Sequence, residues 1–199
     1  VPMVLIGAER SEITGSSVAV DITAGAAAVA HHLIGQGFKR LAVVTGSLDN
    51  IESAQRLEGF LSGCEKHGVA RGTVTILPGT FSQRSGYDAG TGFLSLKQRP
   101  EAVFCSNDAM AMGMIRCFRE HGIRIPHDVA IAGFDDIPSA ELTNPSLTSV
   151  RSNIAELGTT AVQRAMEMIA HPRKRTAEFR SIITPQLVVR ESTARIRKR

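Results

Sequence analysis

One phrase, repeated along the chain, limits the fold more than any other feature: an amphipathic helix, a residue that ends it, and a short β-branched run closing in small or polar residues. It occurs in AAAVAHHLIGQGFKRLAVVTGS, RLEGFLSGCEKHGVARGTVTILPGT, GYDAGTGFLSLKQRPEAVFCSND and AMAMGMIRCFREHGIRIPHDVAIAGFDD. Gly37, Gly68 and Gly122 each follow a helical pattern where a left-handed C-terminal cap is wanted, and Pro100 is expected to stop the third helix. Strands that are apolar along their length and alternate with helices predict a parallel sheet covered on both faces and joined by right-handed crossovers. VPMVLIG supplies a strand before these units, NIAELGTTAVQRAMEMIA a long helix after them, and SIITPQLVVRES the last strand. No low-complexity linker divides the chain, so two lobes would require it to pass between them more than once.

Composition narrows the class. A chain of 199 residues with 43% hydrophobic and 21% charged residues is ordinary for a globular protein with one domain or two small lobes. Its longest apolar runs, such as LAVVTG and AVFC, fall far short of the roughly 20 residues that span a bilayer. The start, VPMVLIGAERSE, has no basic lead or cleavage site and reads as the middle of a longer protein rather than a signal peptide. Three cysteines, Cys64, Cys105 and Cys117, sit in apolar patterns without CxxC spacing, which suits packed, reduced thiols and a cytoplasmic protein. The net charge of +4 owes much to two basic clusters, Arg173 to Arg175 and Arg195 to Arg199. No aromatic or groove-reading motif accompanies them, so a solvated turn and a terminal tail are expected.

In open parallel sheets, ligands gather beyond the carboxyl ends of the strands where strand order reverses. The residues there are Thr45-Gly46-Ser47, Pro78-Gly79-Thr80-Phe81, Ser106-Asn107-Asp108 and Phe134-Asp135-Asp136. Asp135 can accept hydrogen bonds, Asn107 can donate and accept, and Phe81 offers a flat face to a ring. Such a set suits a small polyhydroxylated or heterocyclic ligand. Asp108 reads instead as a helix cap, and Asp136 as the start of the turn into Pro138. In NIESAQRLEGFLSG, Leu57, Phe60, Leu61 and Cys64 form the buried stripe, while Arg56 shares a nearly bare face with Gly59 and Gly63 that loop and ligand could approach. A solvated surface arginine also fits that helix position.

Catalytic and metal signals are poor. The chain has no G-x-S-x-G elbow, no phosphate-binding G-x-x-x-x-G-K-[ST] and no H-x-x-x-H helix, and its six histidines are scattered. GQGFKR and GTGFLS imitate a dinucleotide fingerprint, but the first follows a helix and the second lies within one. Neither an enzyme, a cofactor nor a metal site is expected.

The run AVFCSNDAMAMGMIRCFREHGIRIPHDVAIAGFDDIPSAELTNPSLTSVRSNIAELGTTAVQRAMEMI resembles the lactose repressor/galactose repressor family of bacterial transcription regulators. The resemblance rests on a strand ending in S-N-D before an A-M-A-x-G helix, on I-P-x-D-V-A-I-x-G-F-D-D, and on a loop ending in L-T-S-V. AQRLEGF and PQLVVRES extend it over essentially the whole chain.

The resemblance implies a type I periplasmic-binding-protein-like α/β fold, two lobes of parallel sheet flanked by helices with an effector in the cleft. By it, residues 1–15 and 152–178 belong to a partial N-terminal lobe, 16–151 and 179–193 to the C-terminal lobe, and 194–199 form a basic tail. Arg56, Asn107 and Asp135 would contact the effector, with Phe81 stacking on it. Arg151, Ser152 and Asn153 would form an interlobe crossover, and Ser152 and Ile154 are smaller or less polar than the groups relatives often place there. A homodimer would be formed through Met112, Ile115 and Phe118 of the helix MGMIRCFREHG and Ile137 and Leu142 of the loop IPSAELTN. Operator DNA would be read only through an N-terminal helix-turn-helix absent before VPMVLIG, and no membrane is involved. The effector, a sugar or sugar derivative, would shift the population of lobe angles. The alternative is an extracytoplasmic solute-binding protein of the same fold.

Overall fold

A computed structural model describes residues 2–8, 15–171 and 178–194. The basic clusters at 173–175 and 195–199 therefore lie outside the described residues. Among the described residues, nine strands form two sheets. β1 (Val4–Ala8), β2 (Ser16–Val20) and β8 (Phe179–Ile183) make a small parallel sheet in the order β1-β2-β8. β3 (Leu41–Val44), β4 (Thr75–Leu77), β5 (Ala102–Cys105), β6 (Ala130–Asp135), β7 (Thr148–Arg151) and β9 (Gln186–Val188) make the larger sheet, ordered β4-β3-β5-β6-β7-β9. All its pairings are parallel except that of the edge strand β9 with β7.

The apolar strands build two cores because successive side chains point to opposite faces. Leu41, Val43, Phe104, Ala132 and Phe134 face one core, which α1 (Ile22–Gly35) and α2 (Ile51–Lys66) cover. Ala42, Val44, Val103, Cys105 and Ile131 face the other, under α3 (Gln83–Leu94) and α4 (Asp108–Glu120). Phe60, Phe104 and Phe134 pack in a row in the first core, with ring centroids 5.0 and 6.4 Å apart. Phe93 meets Phe118 at 5.0 Å in the second. Cys64, Cys105 and Cys117 are buried as free thiols. The long helix α6 (Ile154–Ala170) rests on the small sheet through Leu157, Ala161 and Met168, and the short α5 (Pro138–Glu141) comes after β6.

The expected lobe boundaries move. β2 and β8 belong to the small sheet, so the chain crosses between sheets at Asp21, at Ser152 and at Thr184-Pro185 rather than before residues 16 and 179. The single strand expected over SIITPQLVVRES is two strands, because proline has no N–H with which to continue a ladder. The crossings are tied to one another: Asp21 N–H donates to Ile183 O at 3.1 Å, and Asn153 Nδ2 to Thr184 O at 3.4 Å.

Gly37, Gly68 and Gly122 take φ of 87°, 79° and 70°, the left-handed caps their positions require. Pro100 does not stop α3, which ends at Leu94 with Ser95 as its cap. The bare face of α2 also has a different use: a Cβ on Gly59 would overlap the Thr23 carbonyl, and one on Gly63 would lie 2.9 Å from Ala30 Cβ. At these two glycines the face admits helix α1, not a ligand.

Close approach makes some glycines indispensable and leaves others free. A Cβ on Gly113 would run into the Gln83 carbonyl of α3, whereas one on Gly158 in α6 meets nothing within 4 Å. Gly113→Ala is expected to cost about 1–3 kcal/mol. Gly158→Ala is expected to stabilise by about 0.5–1 kcal/mol. Urea unfolding of both variants checks this opposition.

Candidate functional site

Strand order reverses around β3, whose neighbours β4 and β5 are reached by crossovers in opposite directions. The carboxyl ends of the strands beside this reversal deliver the candidate residues to one place. Asn50 caps α2, its Oδ1 accepting from the backbone N–H of Glu52 at 2.8 Å and of Ser53 at 3.2 Å. The cap fixes where the first turn begins, and Arg56 then projects one turn later across the ends of β5 and β6.

The Arg56 guanidinium is the centre of the site. Nη1 donates to the Ser106 carbonyl at 2.5 Å, and Nη2 lies 3.3 Å from Asp135 Oδ1 and 3.5 Å from Glu52 Oε2. The group stands 4.2 Å from the centroid of Phe134 and 5.5 Å from that of Phe81, both cation–π distances. Its Nε is buried without a hydrogen-bond partner. Burial pushes the Asp135 carboxyl up to about 6; Arg56 pulls it down again in part, and Glu52 adds to the rise.

Phe81 adopts φ 61°, a left-handed conformation unusual for an aromatic residue. Asn107 holds it there, donating from Nδ2 to the Phe81 carbonyl at 3.0 Å. The Phe81 ring lies where a Cβ on Gly46 would be, so residue 46 has to be glycine for the aromatic to cover the end of β3. Asn107 is also the cap of α4, accepting from Met110 N–H at 2.9 Å. The expected capping role of Asp108 therefore belongs to Asn107.

Asp108 has another task. Fully buried, its carboxylate accepts from Ser149 Oγ at 2.5 Å and from Ile137 N–H at 2.9 Å, and it fills the space a side chain on Gly133 would need. It thereby fixes the turn in which Asp135 and Asp136 take φ of 106° and 51°. Asp136 points away from the cavity, its carboxylate bridged by Arg151 and Arg190 at 2.7 Å each. The adjacent aspartates thus face different partners.

Arg56, Phe81, Asn107 and Asp135 line a cavity of about 370 Å³, joined by Asn50 and Glu52. Its opposite wall comes from the small-sheet side: Gly7, Val20, Ser152 and Leu157. Of the crossover residues, Arg151 ends β7, Ser152 is buried against the cavity, and Asn153 directly precedes α6. Asn50 and Glu52 were not anticipated from the sequence, although Glu52 lies four residues before Arg56, the spacing at which helical side chains meet.

The apolar candidates for a partner surface divide. Ile115 and Phe118, 6% and 0% exposed, belong to the core, because α4 packs on both the sheet and α3 and so buries a wide face. Met112 is half-buried, and Ile137 and Leu142 are exposed. Among the described residues no cluster could hold a metal ion, and no helix is long and apolar enough to cross a membrane.

Comparison with known proteins bears on the fold. The profile of the periplasmic binding protein-like domain matches residues 30–193. The chain is similar to the HTH-type transcriptional repressor PurR of Mannheimia succiniciproducens, 34% identical over 167 residues, 83% of this chain and 49% of the relative. The same-named repressor of Proteus mirabilis is 34% identical over 98% of this chain and 57% of its own length. The chain thus spans about half the length of the curated relatives it matches. Among solved structures, a LacI family transcriptional regulator from Enterococcus faecium with bound ribose superposes with TM-score 0.90 at 28% identity, covering 98% of this chain and 72% of that one. A sugar-binding LacI family regulator from Escherichia coli complexed with phosphate gives 0.84 at 27% identity, covering 96% and 68%.

The buried Asp108 carboxyl sets a pH dependence. Burial raises it to about 6, above its unfolded value, so the folded state binds the proton more tightly and the cost of the ionised form is present above about pH 6 and lost toward pH 4. Asp108→Asn keeps an acceptor but removes the charge. Its stability relative to the native chain is expected to be better at pH 8 than at pH 5, by on the order of 2 kcal/mol. Urea unfolding at the two pH values measures it, and an equal difference at both would contradict the assignment.

Proposed function

We propose that this chain, which belongs to the periplasmic binding protein-like family and within it to the lactose repressor/galactose repressor group, is the effector-binding core of a transcription regulator. The observation that carries the reading is the cavity at the strand-order reversal, where the Asp135 carboxylate, the Arg56 guanidinium and the Phe81 ring converge. Carboxylate and guanidinium together accept from and donate to neighbouring hydroxyls, and a ring face covers the apolar side of a sugar. A small polyhydroxylated molecule, a sugar or sugar derivative, is the effector this set fits. The ribose bound to the Enterococcus faecium relative supports that class.

The cavity has one wall on each sheet, so an effector that fills it touches both. It would favour one angle between the sheets only as far as its affinity for that angle exceeds its affinity for others. In the whole protein, a helix-turn-helix such as the relatives' names describe would read operator DNA, and a homodimer would set the spacing of two such heads. Met112, Ile137 and Leu142 are the partly or fully exposed apolar side chains proposed for that dimer contact. Binding and regulation in the cytoplasm, without catalysis, complete the reading. The repressor relatives favour it over a solute-binding transport protein of the same fold.

Calorimetric titration of the chain with a panel of pentoses and hexoses tests the site. Asp135→Ala and Arg56→Ala are each expected to weaken the bound sugar by at least about tenfold; unchanged affinity in both overturns the assignment. The neighbouring aspartates separate in a second comparison. Asp135→Asn is expected to reduce binding with little change in melting temperature, whereas Asp136→Asn, which loosens a buried carboxylate from two arginines, is expected to cost on the order of 3 kcal/mol of stability.

A further inference from the structure

We infer that the site selects an uncharged or ammonium-bearing polyol and rejects phosphorylated or carboxylated ones, and that Glu52 is the residue that sets this preference. The inference rests on the polyol site proposed above and adds the charge class of its ligand. Among the described lining residues the ionisable groups are Glu52, Asp135 and Arg56, two carboxylates against one guanidinium.

That guanidinium has little left to offer an anion. Nη1 is committed to the Ser106 carbonyl, and Nη2 lies between the two carboxylates. Only Nε is without a partner, and it is buried. A phosphate or carboxylate entering here would compete with Asp135 and Glu52 for the same cation, and would leave at least one of them facing a like charge in a partly desolvated cavity.

The N-termini of α2 and α4, the other usual kind of anion-binding device, are also occupied, whereas that of α6, which brings Ile154 to the cavity, has no side-chain cap. At α2 the amides of Glu52 and Ser53 are taken by Asn50 Oδ1, and at α4 the Met110 amide is taken by Asn107 Oδ1. At these two helices the chain's own acceptors thus fill positions that could otherwise hold a phosphate. An uncharged hydroxyl group meets no such opposition, since it can donate to either carboxylate, and an amino group meets the surplus negative charge.

Glu52 is the adjustable member. Its side chain is 42% exposed and pairs with Arg56 at the longer distance, so it can be neutralised without removing the Asp135–Arg56 contact. Glu52→Gln leaves one carboxylate for one guanidinium and should open the site to anions.

The test is calorimetric titration of the native chain and the Glu52→Gln variant with matched probes: ribose and ribose 5-phosphate; glucose, glucosamine and glucose 6-phosphate; and inorganic phosphate. The native chain is expected to bind the neutral or amino member of a set at least about tenfold more tightly than its phosphorylated partner, and inorganic phosphate not measurably. In Glu52→Gln that ratio is expected to narrow by at least about fivefold. A phosphorylated sugar or inorganic phosphate binding the native chain as tightly as the neutral sugar overturns the inference alone. So does an unchanged ratio in the variant. Binding of no probe, by either protein, overturns the polyol reading and the inference with it.

Discussion

A buried carboxylate between three strand ends fixes the site. Asp108 stands at the start of α4, accepts from Ser149 on β7 and from the Ile137 amide beyond β6, and presses against Gly133 within β6. Those bonds help to hold Asp135 at φ 106°, a conformation costing on the order of 1–3 kcal/mol outside a supporting frame. The desolvation of Asp108 is offset only in part by two short, well-directed donors, and the strain of the turn is offset by what Asp108 holds. Asp136 adds the second anchor through Arg190, which also donates to the Leu147 carbonyl at 2.7 Å. The residue facing the cavity is therefore positioned by neighbours that do not line it.

The same logic recurs around Phe81 and Arg56. Asn107 and Gly46 position the ring, and the Ser106 carbonyl and the face of Phe134 position the guanidinium. Each of these cavity-lining side chains thus has its backbone or its charge held by an adjacent strand end. Parallel strands ending at one level make this possible, because their loops meet only there.

Much of this was legible in the residues. Strands such as LAVV and AVFC announce double-sided burial, and the glycines placed just after the helices announce their caps. The strand-end rule named Phe81, Asn107 and Asp135 without the fold in view, the helix pattern singled out Arg56, and the cavity brings the four together. The illegible part depended on pairings distant in sequence. Asp108 looks like a cap because S-N-D precedes a helix, and only the positions of Ile137 and Ser149, 29 and 41 residues on, give it other partners. The family resemblance offers Ile115 and Phe118 to a partner, and the residues alone do not show α3 packed beside the sheet. Strand β2 looks attached to helix α1 because Asp21 alone separates the two, while its neighbours in the sheet are β1 and β8.

The bonded crossings carry a consequence for the order of assembly. The small sheet draws β8 from beyond β7, and the Asp21 amide and the Asn153 side chain reach across to Ile183 and Thr184. During synthesis the segments of β3 to β7 can pair as they emerge, but the wall carrying Val20 and Ser152 cannot be braced until the chain has passed Thr184. Such long-range closure is the slow part of folding. A ligand seated between the walls would bind only after that closure, so its binding energy would be added to the closed arrangement.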